Sequence, residues 1–195
     1  MSILTALQQE PALAAGFAAV TLAFAYALFS AWRDGARRKA GEEVRSSLAA
    51  MAETIILLWL LCAACLAAWL GSGRSLEALG LDLGEGWRAL AAWAVGMGGA
   101  VWLLADTTRT LSSGERRERL AEQMQAAGGL GYFDLRSPRE AGVFQAMAVT
   151  AGVTEEIIFR GFVMLALALV LPLWAAAVAS AVIFILFHAY QGVAG

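Results

Sequence analysis

Two glutamates and an arginine stand in a long apolar part of the sequence. Apart from Glu155, Glu156 and Arg160, no residue in the range 141–187 is charged. The next ionisable group is His188, the only histidine in the chain. Charged side chains are costly inside a membrane, so those found there are usually paired and often functional. These four residues are therefore the first candidates for a functional site.

Helical spacing divides the four groups between two roles. Glu156 and Arg160 are four residues apart with the glutamate first, the favourable order for an ion pair on a helix. Glu155 points about 100° away from Glu156, because an α-helix turns once in about 3.6 residues. It is therefore free to face His188. A desolvated glutamate can serve as a general base near neutral pH, so this second pair could position and deprotonate a water for attack on a carbonyl.

A helical hairpin would bring Glu155 and His188 to the same depth. The break is predicted at Leu171-Pro172, because proline disfavours helical geometry in the residue before it. Glu155 lies 16 residues before Leu171, and His188 lies 16 residues after Pro172. At 1.5 Å per residue, each is about 24 Å from the turn. In adjacent, straight, antiparallel helices the two side chains would meet.

These residues also have purely structural interpretations. A lone histidine such as His188 on an apolar helix is more often a core residue than a base. The sequence Glu-Glu-x-x-x-Arg could be an interhelical salt-bridge node. The combination of both features at matched depth in a membrane favours the functional interpretation.

The composition is that of a membrane protein. Of the 195 residues, 60% are hydrophobic and 15% are charged, with a mean hydropathy of +0.67. A soluble domain carries about 25% charged residues. The basic residues lie in short links without interleaved aromatic residues, so nucleic-acid binding is not expected. We predict an all-α fold, a polytopic transmembrane helix bundle that forms a single membrane domain over residues 1–195.

About five spans are expected, because about 20 apolar residues cross a membrane. Gly152 is a plausible weak point in the fourth predicted span, which could be one tilted or bent helix or two. The third predicted span contains Gly96, Gly98 and Gly99, which suit close contact between helices. Between the third and fourth predicted spans, a short cytoplasmic amphipathic helix is predicted at 113–127, with Ser113 as its cap. The predicted spans are 11–32, 54–73, 89–105, 141–170 and 173–190.

The basic residues also predict the orientation. Five lysines and arginines follow the first span, two follow the second and six follow the third. Cytoplasmic links carry the excess of positive charge. We therefore expect a multi-pass protein of the cell membrane with its N-terminus outside. The Glu155–His188 site would lie toward the cytoplasmic side.

Cys62 and Cys65 form a C-x-x-C in the apolar second span. A redox or metal function for this spacing needs a βαβ context or a second pair of ligands. The surrounding sequence offers neither. The two thiols are therefore predicted to be buried and to act as small hydrophobic groups.

Two short motifs resemble the CPBP family of intramembrane proteases. That family includes the CAAX prenyl protease 2 and the bacterial Abi, or bacteriocin-immunity, proteins. The first motif, Glu-Glu-x-x-x-Arg, matches Glu155, Glu156 and Arg160, and the second, Phe-x-x-x-His, matches Phe184 and His188. The resemblance is best over the last 55 or so residues, a family-like core at 139–195. The turn Leu79-Gly80-Leu81 adds a weaker likeness.

The resemblance implies a membrane-bound endopeptidase that acts on membrane-anchored or prenylated peptides among membrane lipids. It implies that Glu155 is the catalytic glutamate and that His188 helps to activate water. Glu156, Arg160 and Phe184 would support the site. Members are described as zinc metalloproteases, with Glu155 and His188 then among the ligands, but a metal-free glutamate mechanism is also argued. Both mechanisms stay open here.

The family also carries a third motif, a second histidine followed four residues later by Asn or Asp. The sequence has no second histidine and extends only seven residues beyond His188, to Gly195. We therefore expect a fragment of a longer member, which need not be active as written. Two alternatives follow. One is a non-catalytic membrane immunity or scaffold protein of the same family. The other is a small transporter or channel subunit that uses Glu155 and His188 as a proton relay.

Overall fold

The computed structural model describes residues 9–42, 46–82, 84–126, 135 and 137–188. Over these residues the regular structure is helical and contains no strand, so the predicted all-α class is confirmed. A short 3-10 helix spans Glu77–Leu79, and a π-helix spans Glu156–Val163. The α-helices are α1 (Pro11–Lys39), α2 (Ser47–Gly71), α3 (Gly86–Ser112), α4 (Gly114–Ala126), α5 (Pro138–Glu155), α6 (Met164–Leu167) and α7 (Leu173–His188).

Three of these helices are long and apolar enough to cross a membrane. They provide the stretches Pro11–Arg37, Ser47–Gly71 and Gly86–Ser112, of 27, 25 and 27 residues, against about 20 needed. Helix α7 is apolar but has 16 residues, and the last two residues of the predicted fifth span lie outside the described part of the chain. The architecture agrees with a helical membrane bundle, and the number of five spans stays a prediction.

Serine side chains mark where three of the α-helices begin. Ser46 accepts a hydrogen bond from the backbone N–H of Ala49 (3.3 Å) at the start of α2. Ser137 accepts a hydrogen bond from the backbone N–H of Glu140 (3.0 Å) at the start of α5. Ser113 does the same for Arg116 (3.4 Å) at the start of α4. Such caps satisfy backbone donors that have no partner within the helix. The helix predicted at 113–127, with its serine cap, is therefore present.

The main apolar core lies between α1, α2, the π-helix, α6 and α7. Its most enclosed side chains come from the π-helix and from α2. Both cysteines are free thiols buried in this core, as predicted. A second, smaller cluster joins Ala121 of α4 to Met51 of α2 and to Leu135. Helix α4 is therefore amphipathic, with one face packed on the bundle and the other face exposed.

Helix α3 lies at the edge of the bundle. A Cβ atom built on Gly96, Gly98 or Gly99 would meet no atom within 4 Å. The prediction of close helix contact at these glycines is therefore wrong for the described part of the protein. Helix α3 instead meets α5 near its own C-terminal end, where Thr107 Oγ1 lies 3.5 Å from Gln145 Oε1.

Candidate active site

The helix that carries Glu155 changes its geometry directly after that residue. Helix α5 ends at Glu155, the backbone continues as a π-helix from Glu156 to Val163, and α6 follows without a break. Most of the fourth predicted span is thus one continuous helical segment, which ends at Leu167, three residues before the predicted end at 170. Gly152 lies within regular α5, so the change comes about one turn later than predicted. Single π-helical turns inside α-helices occur frequently at functional sites.

A tight turn reverses the chain after α6, as Leu171-Pro172 predicted. The turn begins at Ala168, and α7 begins at Leu173. Helix α7 is tied to the π-helix by the hydroxyl of Ser180, which donates a hydrogen bond to the backbone oxygen of Phe159 at 2.6 Å. Sequence reasoning did not single out Ser180. The signal that could have identified it is its spacing, because Ser180 lies about two helical turns before His188 in the same apolar segment.

The hairpin brings Glu155 and His188 together. His188 Nε2 lies 3.7 Å from Glu155 Oε1. The two side chains are 27% and 23% exposed, so each is largely enclosed but can still be reached. The two helices therefore bring Glu155 and His188 together, as the two 16-residue arms predicted. The chemical roles of the two residues stay predictions.

Hydrogen bonding fixes the protonation pattern of the neutral imidazole. His188 Nδ1 lies 2.9 Å from the backbone oxygen of Phe184. A carbonyl oxygen can only accept, so Nδ1 must be the donor, and Nε2 of the neutral ring then carries a lone pair. That lone pair faces the carboxylate of Glu155. Two acceptors 3.7 Å apart leave room for a water that donates one hydrogen to each of them.

Aromatic rings hold the imidazole in place. The ring centroid of Phe184 lies 4.4 Å from that of His188. Phe159 packs edge-on against Phe184 and against Phe187, at 5.2 Å in each case. Phe187 in turn lies 4.7 Å from Phe24 of α1. Phe184, predicted as a supporting residue, therefore lies directly beside the candidate histidine.

Glu156 and Arg160 form an ion pair with each other, on a different part of the helix surface from the Glu155–His188 pair. Their side chains are 56% and 71% exposed. Such exposure to lipid would be costly for charged groups. This face of the π-helix is therefore expected to meet water, peptide or further protein.

The link between α2 and α3 contacts the π-helix at Gly161, next to Arg160 in the sequence. Leu79 of the 3-10 helix is buried, and its Cδ2 lies 3.3 Å from where a Cβ on Gly161 would be. Gly80, with φ of 76°, ends the 3-10 helix in a conformation that favours glycine. The turn that resembled the family in sequence thus contacts the segment that follows Glu155.

The described residues do not form a zinc site by themselves. No group of three or more His, Cys, Asp or Glu side chains lies close enough in this part of the chain to hold a metal ion. A zinc site normally uses three or four protein ligands. Glu155 and His188 supply two, while Glu156 is engaged by Arg160.

One family model matches the chain. Residues 138–195 are similar to the Rce1-like family, described as type II CAAX prenyl endopeptidase Rce1-like. The match includes α5, the π-helix, α6 and α7, which carry all five predicted site residues. It confirms the resemblance for this part of the chain. No curated protein and no solved structure matches.

Proposed function

We propose that the protein is an intramembrane endopeptidase in which Glu155 is the general base and His188 is its partner. The single observation that carries this proposal is the 3.7 Å approach of His188 Nε2 to Glu155 Oε1 within an apolar helical hairpin. The similarity of this segment to an endopeptidase family supports the same reaction class.

The geometry supports a simple hydrolytic cycle. A water hydrogen-bonded to Glu155 and to His188 Nε2 attacks the peptide carbonyl carbon, and the carboxylate of Glu155 takes its proton. The resulting tetrahedral intermediate collapses as the C–N bond breaks. Glu155 then gives its proton to the leaving amine and returns to the carboxylate form. His188 orients the water, since its Nδ1–H is held by Phe184.

The likeness to prenyl endopeptidases suggests a lipid-anchored substrate. We propose membrane-anchored or prenylated peptides, with the protein embedded in several passes and its N-terminus outside. The Glu155–His188 pair then faces the cytoplasmic side. The Glu156–Arg160 ion pair lies on a different, exposed part of the helix surface. Its exposure supports contact of that surface with water or peptide, because hydrocarbon alone would not stabilise two charged groups.

A non-catalytic membrane protein of the same family, serving in immunity or as a scaffold, is the second candidate. One observation favours it. Within the described residues Glu155 and His188 have no third His, Cys, Asp or Glu beside them that could complete a metal site. The two candidates differ in whether the pair performs chemistry at all.

The test is cleavage of a fluorescent lipid-anchored peptide by the purified protein in lipid vesicles. Glu155→Gln and His188→Gln should each lower the rate by about 10²-fold or more, the usual loss when general-base catalysis is removed. Glu122→Gln, on the exposed face of α4, is the matched control and should leave the rate unchanged.

Cleavage retained by Glu155→Gln would contradict the proposed mechanism. If the folded protein cleaves none of a panel of prenylated and acylated peptides, the second candidate is favoured instead.

A further inference from the structure

We propose that Ser180 is a positioning residue that sets the distance between Glu155 and His188. The expected effect on catalysis rests on the proposed function, whereas the effect on the distance between the two side chains does not. Ser180 is buried, with 4% of its surface exposed. Its hydroxyl donates the 2.6 Å hydrogen bond to the backbone oxygen of Phe159, which joins α7 to the π-helix.

The acceptor lies where the backbone hydrogen bonds are rearranged. Phe159 is within the π-helix, and its backbone oxygen also accepts the N–H of Met164, five residues later. A carbonyl oxygen has two lone pairs, so it can serve both donors. In the apolar interior no water can replace a lost partner. Ser180 therefore makes a specific connection to the π-helix in the segment that directly follows the candidate base.

The connection is close to both members of the pair. Phe159 is four residues after Glu155, about one turn along the helix, and Ser180 is eight residues before His188, about 12 Å along α7. The side chain of Phe159 strengthens the link, because its ring packs against Phe184, which contacts the imidazole. One hydrogen bond thus fixes how far α7 can slide past the π-helix.

A small displacement would matter for the reaction. The gap of 3.7 Å between His188 Nε2 and Glu155 Oε1 suits one shared water. A misplacement of about 1 Å at a reacting centre can cost about 10²-fold in rate. Interhelical hydrogen bonds contribute only modestly to membrane-protein stability. Loss of the Ser180 hydroxyl should therefore alter the pair while leaving the protein folded.

The variant Ser180→Ala removes the donor at nearly constant size. We expect kcat to fall about 10-fold or more, within the range for such misplacement, with KM nearly unchanged. Ser180→Thr restores a hydroxyl donor and should regain most of the rate. Ser47→Ala is the matched control, since it removes another interhelical serine hydrogen bond, to Glu140 at 2.5 Å, far from the pair.

A distance measurement makes the test independent of activity. Glu155→Cys and His188→Cys are introduced together into a chain with Cys62→Ala and Cys65→Ala. A short bifunctional thiol reagent then cross-links the two introduced thiols. Adding Ser180→Ala should lower the cross-linking yield several-fold.

Ser180→Thr and Ser47→Ala should leave this yield unchanged. An unchanged yield in Ser180→Ala, or an equal loss in Ser180→Thr, overturns the proposal. A selective loss in Ser180→Ala supports the positioning role even if Glu155→Gln keeps its cleavage activity, in which case only the proposed function fails.

Discussion

Gly16 offers the sharpest test of how α1 packs against the segment that carries the candidate site. A Cβ atom on Gly16 would overlap Cζ of Phe162 and lie 2.8 Å from Cβ of Ala68. Neither neighbour can move away easily, because Phe162 is fully buried and the methyl group of Ala68 has no torsion that would displace it. Gly16→Ala must therefore push α1 away from α2 and the π-helix.

The expected magnitude follows from two opposing effects. Overpacking of a filled core costs about 1–3 kcal/mol, and the severe overlap places Gly16→Ala in the upper part of that range. Alanine recovers about 0.5–1 kcal/mol relative to glycine inside a helix. The net loss in the free energy of unfolding should be about 2 kcal/mol. Gly96→Ala, where a Cβ meets nothing within 4 Å, should instead be neutral or slightly stabilising.

The measurement is reversible unfolding in mixed micelles at increasing fractions of a denaturing detergent, followed by circular dichroism. Both variants change the same residue type in an apolar helix, so their difference isolates the packing effect. Equal unfolding free energies for Gly16→Ala and Gly96→Ala would refute the close contact of α1 with Phe162.

Two further predictions concern the aromatic support and the N-terminal end of α1. Phe184→Leu removes the ring beside His188, and loss of an aromatic contact of about 0.5–1.5 kcal/mol should lower kcat roughly 2- to 13-fold in the vesicle assay. A rate equal to wild type would contradict this. The Arg74 guanidinium holds the pKa of Glu10 below its ordinary value by hydrogen bonding and charge. Glu10→Gln should thus lower stability at neutral pH, and its difference from wild type should vanish as the pH falls through that lowered pKa; a pH-independent difference would contradict it.

The meeting of Glu155 and His188 could be predicted because it depends on local signals. The break at Leu171-Pro172 follows from the stereochemistry of proline, and two arms of equal length follow from counting residues. The cap at Ser113 could be predicted in the same way, because an N-cap needs only a suitable side chain next to the first turn of the helix.

The π-helix and the role of particular glycines could not be predicted in this way. Whether a glycine allows close contact depends on which face meets a neighbouring helix, and this is decided by packing between distant parts of the chain. Gly96 had the favourable pattern, but among the described residues no atom of another helix approaches it, whereas Gly16 makes the tight contact. The backbone change after Glu155 likewise coincides with a contact to α7, through Ser180 and Phe159.

The central claim is that Glu155 and His188 act as one unit on one water. The most direct measurement is a double-mutant cycle on peptide cleavage in vesicles, with Glu155→Gln, His188→Gln and the combined variant. Residues that act as a unit show strongly non-additive losses. We predict that the combined variant is no slower than the slower single variant, at about 10²–10⁴-fold below wild type. Losses that multiply in the combined variant would contradict the claim.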